Sequence, residues 1–166
     1  MDKDLKEWTI AYLKNRDLGQ KKIVKIEEKD KDNILNVIFK DKPNKHHIPE
    51  KLDDKILKEI NNNDYKTIVT FNSEENFSFI VKNWKKLCDM KNLNIIFVNM
   101  KSHDKWLINP HLHSMIADPD SIELGLRTMF DTANGKIAEP KKSKKKPSMF
   151  EESRDEEQDE DPEKEG

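Results

Sequence analysis

The stretch from residue 102 to residue 118 contains most of the side chains that could bind a metal ion. His111 and His113 are two positions apart, so an extended backbone would point both imidazoles to the same side. Three more donors complete the candidate set: His103, Asp104 and Asp118. Imidazole nitrogens and carboxylate oxygens suit Zn²⁺ or Mn²⁺, and either ion could activate a water for hydrolysis. One hypothesis is therefore a metal-dependent hydrolase.

The same residues also have a structural interpretation, which we favour. An H-x-H pair is a weak signal when no cysteine or H-E-x-x-H frame supports it. In this interpretation the two histidines pack a long loop, residues 99–117, against a sheet and bond to backbone, while Asp118 only caps a helix. No cofactor is then required. His46-His47 is predicted to be a pair of exposed strand-edge histidines.

Other catalytic and binding motifs are missing from the sequence. With four glycines in 166 residues, there is no glycine-rich loop for a nucleotide phosphate. Lysines cluster at Lys82, Lys85 and Lys86, and a second basic group lies near the N-terminus. Such clusters could follow a phosphate backbone, although lysines on a solvated helix face explain them equally well.

The first half of the chain predicts one helix and a strand meander. Apolar residues recur at helical spacing over 3–16, and β-branched residues mark strands over 22–28 and 33–40, with a short third strand over 45–48. A helix is expected from Pro49, because proline favours the first helical position.

The second half predicts a β-α-β unit and a last helix. Strands are expected over 65–71 and 93–98, joined by a helix that Asn72 caps with Glu75 as its partner. The last helix starts at Asp118-Pro119, and its buried stripe is predicted to be Ile122, Leu126, Met129 and Ala133. The fold class is α/β (α+β mixed), with one mixed sheet flanked by about four helices.

This element order resembles that of the restriction-endonuclease-like nucleases. Those enzymes hold Mg²⁺ with an acid on one strand and an acid-x-Lys pair on the next. Here Glu27-Glu28-Lys29 falls one strand too early, Asp41 could be the first acid, and the 45–48 strand has no acid-x-Lys. The resemblance therefore implies the fold, with an inactive copy of the site.

Charge separates the chain into a domain, residues 1–137, and a charged tail, residues 138–166. The tail holds a basic block over 141–146 and an acidic run over 151–165, with too little apolar surface to fold, so we expect it to be disordered. The single cysteine fits a reducing compartment, and no stretch has the length or the composition of a membrane helix or signal peptide. A cytoplasmic location is expected.

The leading functional hypothesis is a non-enzymatic binding or adaptor protein that engages a protein or nucleic acid and is modulated by its tail. Met149-Phe150, the apolar pair between the two charged blocks, could be a docking motif. The candidate partner-binding residues, besides the lysine cluster already named, are Lys141, Lys142, Lys144, Lys145, Lys146, Met149 and Phe150.

Overall fold

The computed structural model describes residues 2–29, 33–61 and 63–135, so the basic block, Met149-Phe150 and the acidic run lie outside the described residues. The elements are α1 (Asp2–Gln20), β1 (Ile23–Lys29), β2 (Ile34–Phe39), β3 (Pro43–His47), α2 (Asp54–Glu59), β4 (Lys66–Phe71), α3 (Glu74–Lys82), α4 (Trp84–Cys88), β5 (Leu93–Val98), β6 (Lys105–Ile108), α5 (Pro110–Ile116) and α6 (Pro119–Ala133). No helix among these is long and apolar enough to cross a membrane.

The six strands form one mixed sheet in sequence order, β1 to β6. The first three strands are an antiparallel meander, β3 to β5 run parallel, and β6 returns antiparallel to β5. The mixed α/β class, the meander and the β-α-β unit are confirmed. In the described ranges there are six helices, compared with about four predicted, because no separate sequence signal marks α4 or α5.

The two faces of the sheet are covered unequally. On one face α1 packs alone, with Leu5 and Leu13 against apolar residues of β2 to β5. On the other face α2, α3, α4 and α6 bury a larger apolar cluster against β4, β5 and β6. Because one helix is narrower than a six-stranded sheet, we expect the α1 face to leave part of the sheet open.

The start positions predicted for the two helices that follow β3 and β4 were wrong. The chain after Pro49 continues without helix, and α2 begins only after Asp53, whose side chain accepts hydrogen bonds from the N–H groups of Lys55 and Ile56. Pro49 instead uses its carbonyl oxygen, which accepts the Thr70 hydroxyl at 2.7 Å. A carboxylate cap outweighs a proline signal because it satisfies helix N–H groups that would otherwise lack partners.

Asn72 is a buried cross-link instead of a helix cap. Ser73 caps α3, accepting a hydrogen bond from the Asn76 N–H at 3.2 Å. The Asn72 side chain accepts the indole N–H of Trp106 at 2.8 Å and donates to the Phe130 carbonyl oxygen at 3.1 Å. It therefore ties the end of β4 to both β6 and α6.

The predicted loop over 99–117 was also wrong, since it contains β6 and α5. Residues 105–108 alternate in burial, with Trp106 and Ile108 in the core and Leu107 on the opposite face. Trp106 stacks on Phe97 with ring centroids 4.5 Å apart. A strand of four residues is too short for alternation alone to reveal it.

The stripe predicted for α6 is correct except at one position. Leu126 and Ala133 are buried and Ile122 packs against the same cluster, but Phe130 takes the place predicted for Met129. Phe130 lies 4.8 Å from Phe77 between ring centroids, which fixes α6 on α3. Met129 lies on the exposed side.

Asn76 is expected to be the most sensitive polar residue of this fold. It is buried, its side-chain oxygen accepts the Leu52 N–H at 2.8 Å, and its amide nitrogen lies 3.0 Å from the Glu50 and Phe71 carbonyl oxygens. Asn76→Ala leaves these groups buried without partners, so we expect a loss of about 2–4 kcal/mol in unfolding free energy, measured by urea denaturation.

The control for this prediction is Asn61→Ala, at an exposed position just after α2. It should change the unfolding free energy by less than about 0.5 kcal/mol. Equal effects of the two substitutions would show that the Asn76 network does not hold the segment before α2 in place.

Candidate functional site

The five predicted metal ligands lie in three separate places. His103 and Asp104 are in the turn between β5 and β6, His111 and His113 are on α5, and Asp118 precedes α6. Strand β6 runs between the first two pairs, and four extended residues cover about 13 Å. The turn and α5 therefore lie at opposite ends of β6, and the structure does not bring these side chains together.

The two histidines of α5 are used by backbone groups. In a helix, residues two positions apart are rotated by about 200° about the helix axis, so His111 and His113 point to nearly opposite sides. His111 Nδ1 lies 2.9 Å from the Cys88 carbonyl oxygen, and His113 Nδ1 lies 2.9 Å from that of Asn109. Across the described ranges, no three His, Cys, Asp or Glu side chains could hold one metal ion. The two imidazoles thus bond to backbone groups from a helix, whereas the sequence analysis placed them in a loop.

The acids considered for a nuclease site are likewise dispersed. Glu27 lies on β1, an edge strand. A hydrogen bond from the Lys25 ammonium, 2.8 Å away, and then the charge of that group lower the pKa of the Glu27 carboxyl. Asp41 lies in the turn between β2 and β3, and β3 itself carries no acid. The described residues thus give the nuclease alternative no catalytic pair.

The prediction that His46 and His47 are exposed at a strand edge was wrong. Strand β3 is internal, between β2 and β4, and the two residues are only 4% and 6% exposed. Burial lowers the pKa of His46 to about 4, against an opposing effect of the Asn44 backbone. Burial and then the nearby charges of Lys45 and Lys66 lower the pKa of His47 to about 4.

The predicted lysine cluster borders a groove between α4 and the start of α6. Lys82, Lys85 and Lys86 line a groove of about 830 Å³ whose floor and walls include Trp84 and Ile122. The other apolar lining residues are Val81, Cys88, Ala117 and Pro119. We call this the lysine-rimmed groove. The N-terminal basic residues are on α1 and β1, and α1 covers the opposite face of the sheet from α3 and α4.

Helix α5, which forms one wall of the groove, also exposes an apolar stripe. Leu112, Met115 and Ile116, at i, i+3 and i+4, are 55%, 68% and 81% exposed. Residues at this spacing share one helix face, which is normally the face a helix buries. We call these three residues the α5 stripe. Sequence reasoning missed it because the segment was interpreted as a loop.

Comparison of the chain with family models, with curated proteins and with solved structures found no match. The assignment of a function therefore depends on the geometry of these surfaces alone.

The buried histidines generate a pH-dependent prediction. Each has a lower pKa in the folded chain than the ordinary value near 6.5, so unfolded chains take up the extra protons as pH falls. Stability should therefore be fully present above about pH 6.5 and decrease toward pH 4. In His46→Gln, the difference in unfolding free energy between about pH 7.5 and about pH 5 should shrink by about 1–2 kcal/mol.

The measurement is urea denaturation of both chains at the two pH values. His103→Gln is the matched control, because His103 is exposed in the turn after β5. An unchanged pH dependence in His46→Gln would contradict the prediction.

Proposed function

We propose that this chain is a non-enzymatic adaptor that binds a protein partner through the lysine-rimmed groove. The observation that carries the proposal is the combination of an apolar groove of about 830 Å³ with three lysines on its border. A cytoplasmic location belongs to the same proposal, and the single cysteine, which suits a reducing compartment, supports it.

The groove's chemistry favours an acidic partner segment with apolar anchors. Trp84 and Ile122 offer apolar surface, and both are only partly buried by the core they pack against. Lys82, Lys85 and Lys86 add positive charge along the same groove, where Asp89 is the acid among the lining residues. A partner with carboxylates beside one or two large apolar residues matches both features.

The α5 stripe extends the surface available to such a partner. Leu112, Met115 and Ile116 lie on α5, whose Ser114 lines the groove, and each exposes about half or more of its surface. A partner that filled only the groove would bury a small area, whereas one that also crossed α5 would approach the area of a specific interface. The stripe therefore supports a folded partner, of which the acidic segment is one part.

Nucleic acid is the less favoured partner. Phosphate tracking requires a run of cations, and about half or more of the contacts in such complexes are to phosphate and sugar. Only three lysines border the groove, and the N-terminal basic residues lie on the other face of the sheet. Apolar lining contributes little to phosphate binding, so the observed mixture fits a protein partner better.

The tail supports modulation, because its sequence has the chemistry proposed for the partner. Met149-Phe150 is followed by a run with ten acids against Arg154 and Lys164. Thirteen residues lie between Gly135 and Met149, and these fourteen steps of chain can span up to about 46 Å when extended. Helix α6, whose first turn borders the groove, is about 22 Å long. A tail of this length and composition is what the proposed competition with the partner requires.

A synthetic peptide of residues 147–162 is a direct probe of the groove. The receptor is the full chain carrying Met149→Ser and Phe150→Ser, so that its own tail competes less. We expect Lys82→Glu/Lys85→Glu/Lys86→Glu to weaken peptide binding at least about tenfold, because three attractions become repulsions. Fluorescence anisotropy of the labelled peptide measures the affinity.

The matched control reverses three exposed lysines elsewhere, Lys14→Glu/Lys40→Glu/Lys101→Glu, and has the same total charge. It should weaken binding much less than the groove variant does. Equal weakening by both triple variants would indicate general charge attraction and contradict a specific groove.

The α5 stripe is tested with matched single substitutions. Ile116→Ser removes an apolar side chain that is 81% exposed, and Leu18→Ser removes one that is 73% exposed at the end of α1. If the partner covers the stripe, Ile116→Ser should reduce retention of the partner from cell extract about threefold to tenfold. Leu18→Ser should leave retention unchanged, and a loss in both would argue against a local surface.

A further inference from the structure

A second, polar cavity lies on the α1 face of the sheet, opposite the lysine-rimmed groove. It has a volume of about 360 Å³ and opens between the last turns of α1, the turn between β2 and β3, and the first residues of β4 and β5. Cavities of this size accommodate small molecules. No sequence motif marks this cavity, because its residues come from five separate segments.

Its floor is a polar row across three neighbouring strands. His46 on β3 pairs with Thr67 on β4, and Thr67 pairs with Asn94 on β5. Two residues further along each strand the same face is apolar, with Ile48, Val69 and Ile96 in the core. Side chains at i and i+2 share a face, so the polar row is a defined break in an apolar surface.

Like Thr67, His46 is a buried member of this row. It is 4% exposed, and its Nδ1 atom, like that of His47, makes no hydrogen bond of good geometry among the described residues, while the nearby Asn44 backbone acts on its imidazole. An unsatisfied polar atom in the interior has a free-energy cost, which folded proteins generally avoid unless the group has a further role. The side chain lines the cavity, and the positive charge of Arg16 is close enough to act on its imidazole.

Two amide groups of the cavity keep donors available. The side-chain oxygen of Asn44 accepts the Thr67 hydroxyl at 3.2 Å, and that of Asn94 accepts the Asn109 amide at 3.1 Å. Because the side-chain oxygens of Asn44 and Asn94 already accept hydrogen bonds, their NH₂ groups are the donors that they offer to a ligand. Asp17 is engaged by the backbone, since its carboxylate accepts the N–H groups of Lys22 and Ile23.

The rim of the cavity adds more positive than negative charge. Arg16, Lys22 and Lys42 line it, together with the acids Asp17 and Asp41. The Asp17 carboxylate already accepts the N–H groups of Lys22 and Ile23. The Lys42 ammonium lies 3.8 Å from the ring centroid of Tyr65, which holds that aromatic ring at the entrance. Amide donors, a guanidinium and an aromatic edge together suit a ligand with an anionic group and an apolar or flat remainder.

We propose that this cavity binds a small organic anion, a phosphate ester or a carboxylate no larger than a nucleoside monophosphate. Asn44 and Asn94 donate to the anionic oxygens, Arg16 pairs with their charge, and His46 forms the polar end of the pocket. Burial keeps this histidine neutral at neutral pH, so its ring does not need a counter-ion when the cavity is empty. The proposal is independent of the adaptor function, which uses the other face of the sheet.

The test is an NMR titration of the full chain labelled at histidine. The probes are uridine monophosphate, citrate and, as the neutral control, uridine, each added up to about 10 mM so that weak binding is detected. We expect an anion to shift the His46 imidazole signals while those of His111, which bonds to Cys88 at the other side of the sheet, stay unchanged. A response to the phosphate ester alone or to citrate alone identifies the anionic group.

Two accessible variants keep the proposal falsifiable if substitution of His46 prevents folding. Arg16→Ala and Asn94→Ala should each weaken anion binding about fivefold to tenfold, because each removes a hydrogen-bond donor to a charged group. Lys101→Ala is the control, since Lys101 is exposed and does not line the cavity. The proposal is overturned if no anion moves the His46 signals, if uridine moves them equally, or if both variants bind as the unmodified chain does.

Discussion

The buried amide of Asn72 is the interaction on which the arrangement of the second half of the chain depends. It accepts the Trp106 indole N–H and donates to the Phe130 carbonyl oxygen, so one side chain at the end of β4 fixes both β6 and α6. Helix α5 connects those two elements and is therefore held at both ends. Pro110 is the buried residue of α5, and His111 bonds to the Cys88 carbonyl oxygen, so the helix is held with its apolar face outward.

This constraint explains why two kinds of surface coexist on one small domain. The α5 stripe is exposed because the position of α5 is set by its neighbours and not by its own apolar residues. The lysine-rimmed groove forms for a related reason: α4 is short, and α6 begins beside it without filling the space. Both features follow from the attachment of β6 and α6 to the sheet, and neither requires an unusual residue.

Elements with long sequence signals were predicted correctly. Single positions were predicted poorly where two neighbouring residues could each take the same role. Strands β4 and β5 and the start of α6 were correct because β-branched or apolar runs and a proline at the first helical position are specific signals. Asp118 is the N-cap residue of α6, but its side chain makes no capping hydrogen bond. Asn72 was preferred to Ser73 as a cap, and Met129 to Phe130 as a core residue. In each case the two residues are adjacent and chemically plausible, and only the tertiary contacts separate them.

The candidate surfaces were predictable only in part, for a reason that concerns local composition. Three lysines on one helical segment are visible in sequence, but the apolar walls of the groove come from positions 81–88 and 114–122. His46 and His47 sit in a strand whose five residues are polar or proline, which resembles an edge. The strand is internal because its neighbours on both sides supply the hydrogen bonds, and pairing partners cannot be read from the strand itself.

The unequal covering of the sheet is what gives each face its own chemistry. Four helices bury the apolar side of β4 to β6, and the groove between α4 and α6 remains accessible on that face. On the other face α1 reaches the central residues but ends near Arg16 and Gln20, which leaves the first residues of β3 to β5 beside an open cavity. An apolar row there would have exposed hydrophobic surface, so polar residues at this position are compatible with folding whether or not a ligand is bound. The Asn44 and Asn94 amides, the Arg16 guanidinium and the His46 imidazole all line this cavity, and their combination is the reason to expect a ligand in it.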